Sequence, residues 1–131
     1  KFLALTNNKK LISDEKKEKL SNVNWIPLQL MWQLDKIIAL SKEKPVLIFK
    51  HSTRCSISRF ALKQFENEFD LQNQIDAYFL DLLEFRAISN EIASRFGIMH
   101  QSPQLLLIKE GKVLYDASHS DIQANELKKY I

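Results

Sequence analysis

Apolar residues along this chain change their spacing from segment to segment, and each spacing selects a different element. Residues 1–20, KFLALTNNKKLISDEKKEKL, scatter a few leucines among lysines, which suits a loose arm or an exposed helix better than a core. The pattern then tightens. Val23 and Trp25 alternate as in a short strand, Pro27 suits the first turn of a helix, and Leu30, Leu34, Ile37 and Ile38 recur at helical spacing. PVLIF at 45–49 and IDAYFLDLL at 75–83 are apolar runs of the kind that form strands covered on both faces. Between them Ile57, Ala61, Leu62 and Phe65 follow a helical stripe, so strand, helix and strand predict a parallel crossover.

Downstream, Ile88, Ile92 and Phe96 share one helical face, and Gly97 stands where a helix end prefers a left-handed residue. HQSPQLLLIKEGKVLYDAS reads as a β-hairpin turning at Gly111. SHSDIQANELKKYI closes the chain as an expected helix capped by Ser118 or Ser120, with Asp121 in its first turn. The predicted order is β-α-β-α-β-α-β-β-α behind a polar extension, which makes the fold class α/β.

Composition narrows the reading. With 131 residues and 45% hydrophobic side chains, the chain is long enough for one domain with its own core. We divide it into a basic N-terminal extension, 1–21, and a single domain, 22–131. The net charge of +3 resides in the extension, where six lysines face three acids; the remainder balances. A nucleic-acid module would need a basic stripe interleaved with aromatics, which is absent. No apolar run approaches membrane-span length and KFLAL is too brief for a signal-peptide core, so no membrane partner is expected. One cysteine fits a reducing compartment, and cytoplasm is the expected location.

That cysteine, Cys55, lies in FKHSTRCSIS (49–58), between a strand and a helix. A helix N-terminus favours negative charge through its dipole and free N–H groups, and Arg54 adds a neighbouring cation, so the position favours a thiolate. The bland reading is a small buried hydrophobe. Against it stand the polar neighbours Ser52, Thr53, Arg54, Ser56 and Ser58, at the strand edge where open α/β sheets place ligands. His51, His100 and His119 lack the clustering of a metal site, and no metal is expected. His51 reads as capping the strand end, with a positive potential near the thiolate as the alternative, and His100 and His119 carry no assigned role. Arg86, Ser89 and Asn90 read as capping and solvating a helix start, and Trp25 and Trp32 as packing residues.

The order of elements, the cysteine heading the helix after the second strand, and Ser102-Pro103 before the hairpin together resemble the thioredoxin fold: a central mixed sheet flanked by helices. The stretches FKHSTRCSIS, RAISNEIASRFGI and HQSPQLLLIKEGKVLYDASHSDI resemble the monothiol bacilliredoxins, the YtxJ-like branch of that superfamily. The resemblance implies a cis Pro103 facing Cys55, with Ser102 and Pro103 forming part of the substrate groove. It implies Cys55 as the attacking residue, with Thr53, Arg54, Ser56, Ile57 and Ser58 completing the motif and Thr53, Arg54, Ser56 and Ser58 among the substrate contacts. The implied activity is removal of bacillithiol from S-bacillithiolated client proteins, with bacillithiol as thiol cosubstrate and no tightly bound cofactor.

Ordinary thioredoxins carry a second cysteine where Ser58 stands, so no internal disulfide cycle is available here. Two alternatives remain open at the level of sequence. One is a glutaredoxin-like monothiol protein using glutathione, although that family has Cys-Gly-Phe-Ser where this chain has Cys-Ser-Ile-Ser. The other is a thioredoxin-like binding module with a non-catalytic cysteine.

Overall fold

The computed structural model describes residues 23–131; the basic extension expected over 1–21 lies outside the described residues. Five strands form one sheet: β1 (Ile26–Pro27), β2 (Val46–His51), β3 (Asp76–Asp81), β4 (Gln104–Lys109) and β5 (Lys112–Ser118). Three α-helices intervene: α1 (Trp32–Leu40), α2 (Ser56–Glu68) and α3 (Arg86–Phe96). The order across the sheet is β1-β3-β2-β4-β5. β2 pairs in parallel with β3 and antiparallel with β4, so the sheet is mixed.

The buried strand runs follow from two-sided packing. Leu47 and Phe49 of β2, with Leu105 and Leu107 of β4, meet Ala61 and Phe65 of α2 and Ile122 and Leu127 of the C-terminal segment. Val46 and Ile48, with Leu106 and Ile108, meet Leu34 and Ile37 of α1 and Ile88 and Ile92 of α3. Successive strand residues point to opposite faces, and here each face has its own cover, so no position is left for a polar residue in the run. Gly97 ends α3 with φ 65°, and Glu110 and Gly111, both at positive φ, make the two-residue hairpin turn.

Several expectations need correction. The first strand is Ile26–Pro27 rather than Val23–Trp25, and α1 begins at Trp32, so Pro27 is not in a helical first turn. Among the described strands β1 pairs with β3 alone and lies at the sheet edge, where a proline's missing N–H costs least. Gln33 holds the following turn: its Oε1 accepts from the N–H groups of Gln29 and Leu30, and its Nε2 donates to the Pro27 carbonyl at 3.0 Å. Leu30 and Trp32 are consequently exposed, the latter at 57%, so Trp32 does not pack as expected, whereas Trp25 sits against Phe49, Phe65 and Phe79.

The closing segment is not one helix but two 3-10 turns, His119–Asp121 and Ala124–Tyr130, separated by extended residues. Neither turn has a side-chain cap, so the capping expected of Ser118 or Ser120 does not occur. Ala124 and Leu127 are both buried, and their spacing of three is the 3-10 period rather than the α period.

Candidate active site

β2 ends at His51, and four residues later Cys55 stands as the N-cap of α2, in extended conformation (φ −109°, ψ 123°). Its backbone N–H closes a turn onto the Ser52 carbonyl at 3.2 Å, and its carbonyl accepts from the Arg59 N–H at 3.0 Å. The side chain is half-buried. Thr53, Arg54 and Ser56 around it are exposed. Arg59 ties the loop from outside by donating Nη1–H to the Thr53 carbonyl at 3.2 Å.

Ser58, which the resemblance places among the substrate contacts, has its hydroxyl turned inward and fully buried. Oγ accepts from the Ser52 N–H at 3.0 Å and lies 2.8 Å from His51 Nδ1. His51 is 4% exposed, and burial holds its pKa below the ordinary value, with Asp81 opposing and Arg59 reinforcing that shift. The serine oxygen receives the backbone proton, and its hydroxyl either donates to an unprotonated Nδ1 or accepts from Nδ1–H, so both neutral tautomers keep the contact. The His51–Ser58–Ser52 chain thereby fixes the loop from beneath. His51 acts as a capping group rather than as a positive charge at neutral pH.

The second wall comes from β4. Lys50 pairs with Gln104, so the Cys55 loop and the 99–103 segment leave the same end of neighbouring strands. The Ser102-Pro103 bond is cis. Pro103 is buried, Ser102 is half-buried, and the Pro103 carbonyl accepts from the His119 N–H at 3.1 Å, which brings the 119–121 turn to the same place. Gln104 stitches the segment internally, donating to the Met99 carbonyl at 3.0 Å. Ile57, placed in a buried stripe by its spacing, is 59% exposed, and Phe60 is 71% exposed. With Gln64, His119 and Ile122 they line a groove beside the loop.

Lys50 was missed at the sequence level. It is fully buried, its Nζ donating to the Ser89 carbonyl at 3.3 Å and lying 3.2 Å from His100 Nδ1, and burial lowers its pKa to about 8. The signal was present in register: Val46 and Ile48 face α1 and α3, and Lys50 is the next residue on that face. His100, half-buried, has its pKa pushed down by burial and then by Lys50 and Arg86.

Residues 26–127 match the family model of the monothiol bacilliredoxin BrxC. The chain belongs to the monothiol bacilliredoxin family. A solved structure described as a putative oxidoreductase with a thioredoxin fold is 31% identical, covers 80% of this chain and 91% of its own length, and superposes with a TM-score of 0.68. Fasciola hepatica thioredoxin, 16% identical over 79% of this chain and 92% of its own, superposes with a TM-score of 0.61. Schistosoma mansoni thioredoxin, 17% identical over 85% and 99%, gives 0.63. The last two establish the thioredoxin fold alone. As a bacilliredoxin family member, the chain carries a thioredoxin-like oxidoreductase scaffold with a serine three residues beyond its one cysteine.

Proposed function

We propose that this protein removes bacillithiol from S-bacillithiolated proteins through Cys55 alone, in a reducing compartment such as the cytoplasm. Cys55, as thiolate, attacks the bacillithiol sulfur of the mixed disulfide. The bond between that sulfur and the client sulfur breaks, the client leaves as a thiolate and takes up a proton, and bacillithiol remains disulfide-bonded to Cys55. Electrons are conserved in this exchange, so a second thiol must then attack the Cys55 disulfide, releasing bacillithiol and restoring the free cysteine.

The observation that supports this reading above the others is the pairing of a half-buried cysteine at the N-cap of α2 with Ser58, which cannot resolve a disulfide. Thr53, Arg54 and Ser56 then border the approach of the small thiol, and the backbone at Ser102 and Pro103 borders the client. Ser58 serves through the loop it anchors rather than by contact.

The test is intact-mass analysis after incubation with a bacillithiolated client. Wild-type protein should gain the mass of one bacillithiol as the client loses it, and Cys55→Ser should gain none. Equal client reduction by the variant would overturn the assignment, and equal transfer of glutathione from a glutathionylated client would overturn the choice of thiol.

A further inference from the structure

Lys50 is an ammonium enclosed by protein, with no counter-ion among the described residues. Its Nζ has two partners, the Ser89 carbonyl in the first turn of α3 and His100 Nδ1, and among the described residues no carboxylate lies within 4 Å of it. With a pKa of about 8 it is still mostly protonated at neutral pH. A protonated amine only donates, so His100 Nδ1 accepts, and the single proton of the neutral ring sits on Nε2. Ser89 Oγ, 3.4 Å from the same Nδ1, leaves that arrangement unchanged. Arg86, exposed at the start of α3, acts electrostatically on the same ring and forms no ion pair among the described residues. The Lys50 ammonium, the His100 Nε2–H it leaves free to donate, and the Arg86 guanidinium, whose charge acts on the same ring, therefore have no anion among the described residues.

A buried charge is tolerated when an opposite charge accompanies it, and here the described residues supply none. We propose that the Lys50–His100–Arg86 cluster is a carboxylate-binding subsite for the low-molecular-weight thiol half of the mixed disulfide. The carboxylate meets the His100 Nε2–H and the Arg86 guanidinium, whose fork matches its two oxygens. Lys50 touches neither the ligand nor the reacting sulfurs. It is a positioning residue, fixing the His100 tautomer and lending charge in a medium where charge is weakly screened. The subsite lies at the end of the sheet from which the Cys55 loop leaves, since Lys50 pairs with Gln104, the neighbour of Pro103. The inference rests on the exchange reaction proposed above and adds that its small thiol is anionic.

Two measurements test it. In the full chain carrying Cys55→Ser, titration with succinate should shift the His100 ring resonances saturably and raise the ring's titration midpoint. Chloride at equal ionic strength should not do so, and Arg86→Ala should abolish the response. Nitrogen shifts should report Nε2–H in the parent and a tautomer mixture in Lys50→Met, a change that loss of packing alone does not produce. An unshifted His100, or an equal response to chloride, overturns the subsite.

In wild type, Cys55 is offered the 2-pyridyl mixed disulfides of mercaptosuccinate and of mercaptoethanol; attack on the aliphatic sulfur expels pyridine-2-thione, which is followed by absorbance. The dicarboxylate should react at least tenfold faster, and Arg86→Ala should bring the ratio close to that of a free cysteine peptide. If instead Arg86→Ala changes only the preference between client peptides with Asp or Asn beside the modified cysteine, the carboxylate belongs to the client and the assignment to the small thiol fails. Release from neither disulfide defeats the oxidoreductase reading, and the succinate titration then decides the subsite by itself.

Discussion

Ser58 occupies the place where a resolving cysteine would act, and its own hydrogen bonds define what it does there. Its buried oxygen receives the half-buried Ser52 N–H and its hydroxyl bonds to the buried His51 Nδ1. Removing the hydroxyl strands two polar groups at once, and an unsatisfied buried group costs about 1–3 kcal/mol. Ser58→Ala should therefore lower the urea-unfolding free energy by about that amount with an unchanged denaturant slope, and the Ser52 amide should exchange with solvent markedly faster. Unaltered exchange at Ser52 would show that the loop is held by something else. The spacing of three between Cys55 and Ser58 was legible in the sequence; the inward turn was not, because its cause is His51, seven residues earlier and on a different element.

At the scale of elements, α2 shows how far periodicity reaches. Ala61 and Phe65 are buried as their spacing predicts, while Ile57 and Phe60 point outward from the first two turns beside Cys55. Two phenylalanines on one helix should thus differ sharply when truncated. Phe65, fully buried against Trp25, Phe49 and Phe69, should cost about 3–5 kcal/mol as Phe65→Ala. Phe60→Ala should stay within about 0.5 kcal/mol of wild type in the same urea titration. Similar losses at both would mean that Phe60 packs against a surface the described residues do not provide. The strands and the hairpin were readable because each depends on a local pattern, alternation or a glycine at positive φ. β1 and the closing 3-10 turns were not, since the first depends on the Gln33 side chain and the second on fitting Ala124 and Leu127 against a sheet already formed.

For the molecule as a whole, the two faces of the sheet each enclose a nitrogen base at the end nearest Cys55. His51 and Lys50 are consecutive on β2, so their side chains take opposite faces, His51 bonded to Ser58 at the start of α2 and Lys50 to α3. A lysine in a strand reads from sequence as a solvent-facing position; only the packing of α3 and the 99–103 segment over it makes it an interior charge. Both groups bind protons less readily folded than unfolded, so each makes stability increase with pH, in separate windows. Below about pH 6.5 the unfolded chain protonates His51 first, and stability falls as pH drops further. Between about 8 and 10.5 Lys50 loses its proton in the folded state first, and this group alone adds about 3 kcal/mol by the upper end. Lys50→Met keeps the bulk and removes the titration, so the wild-type minus variant difference should move by about 3 kcal/mol in favour of wild type between about pH 7 and pH 11, cancelling the tyrosines and Cys55 common to both. A flat difference across that range would mean that Lys50 already has an anionic partner, and with it the uncompensated charge behind His100 would disappear.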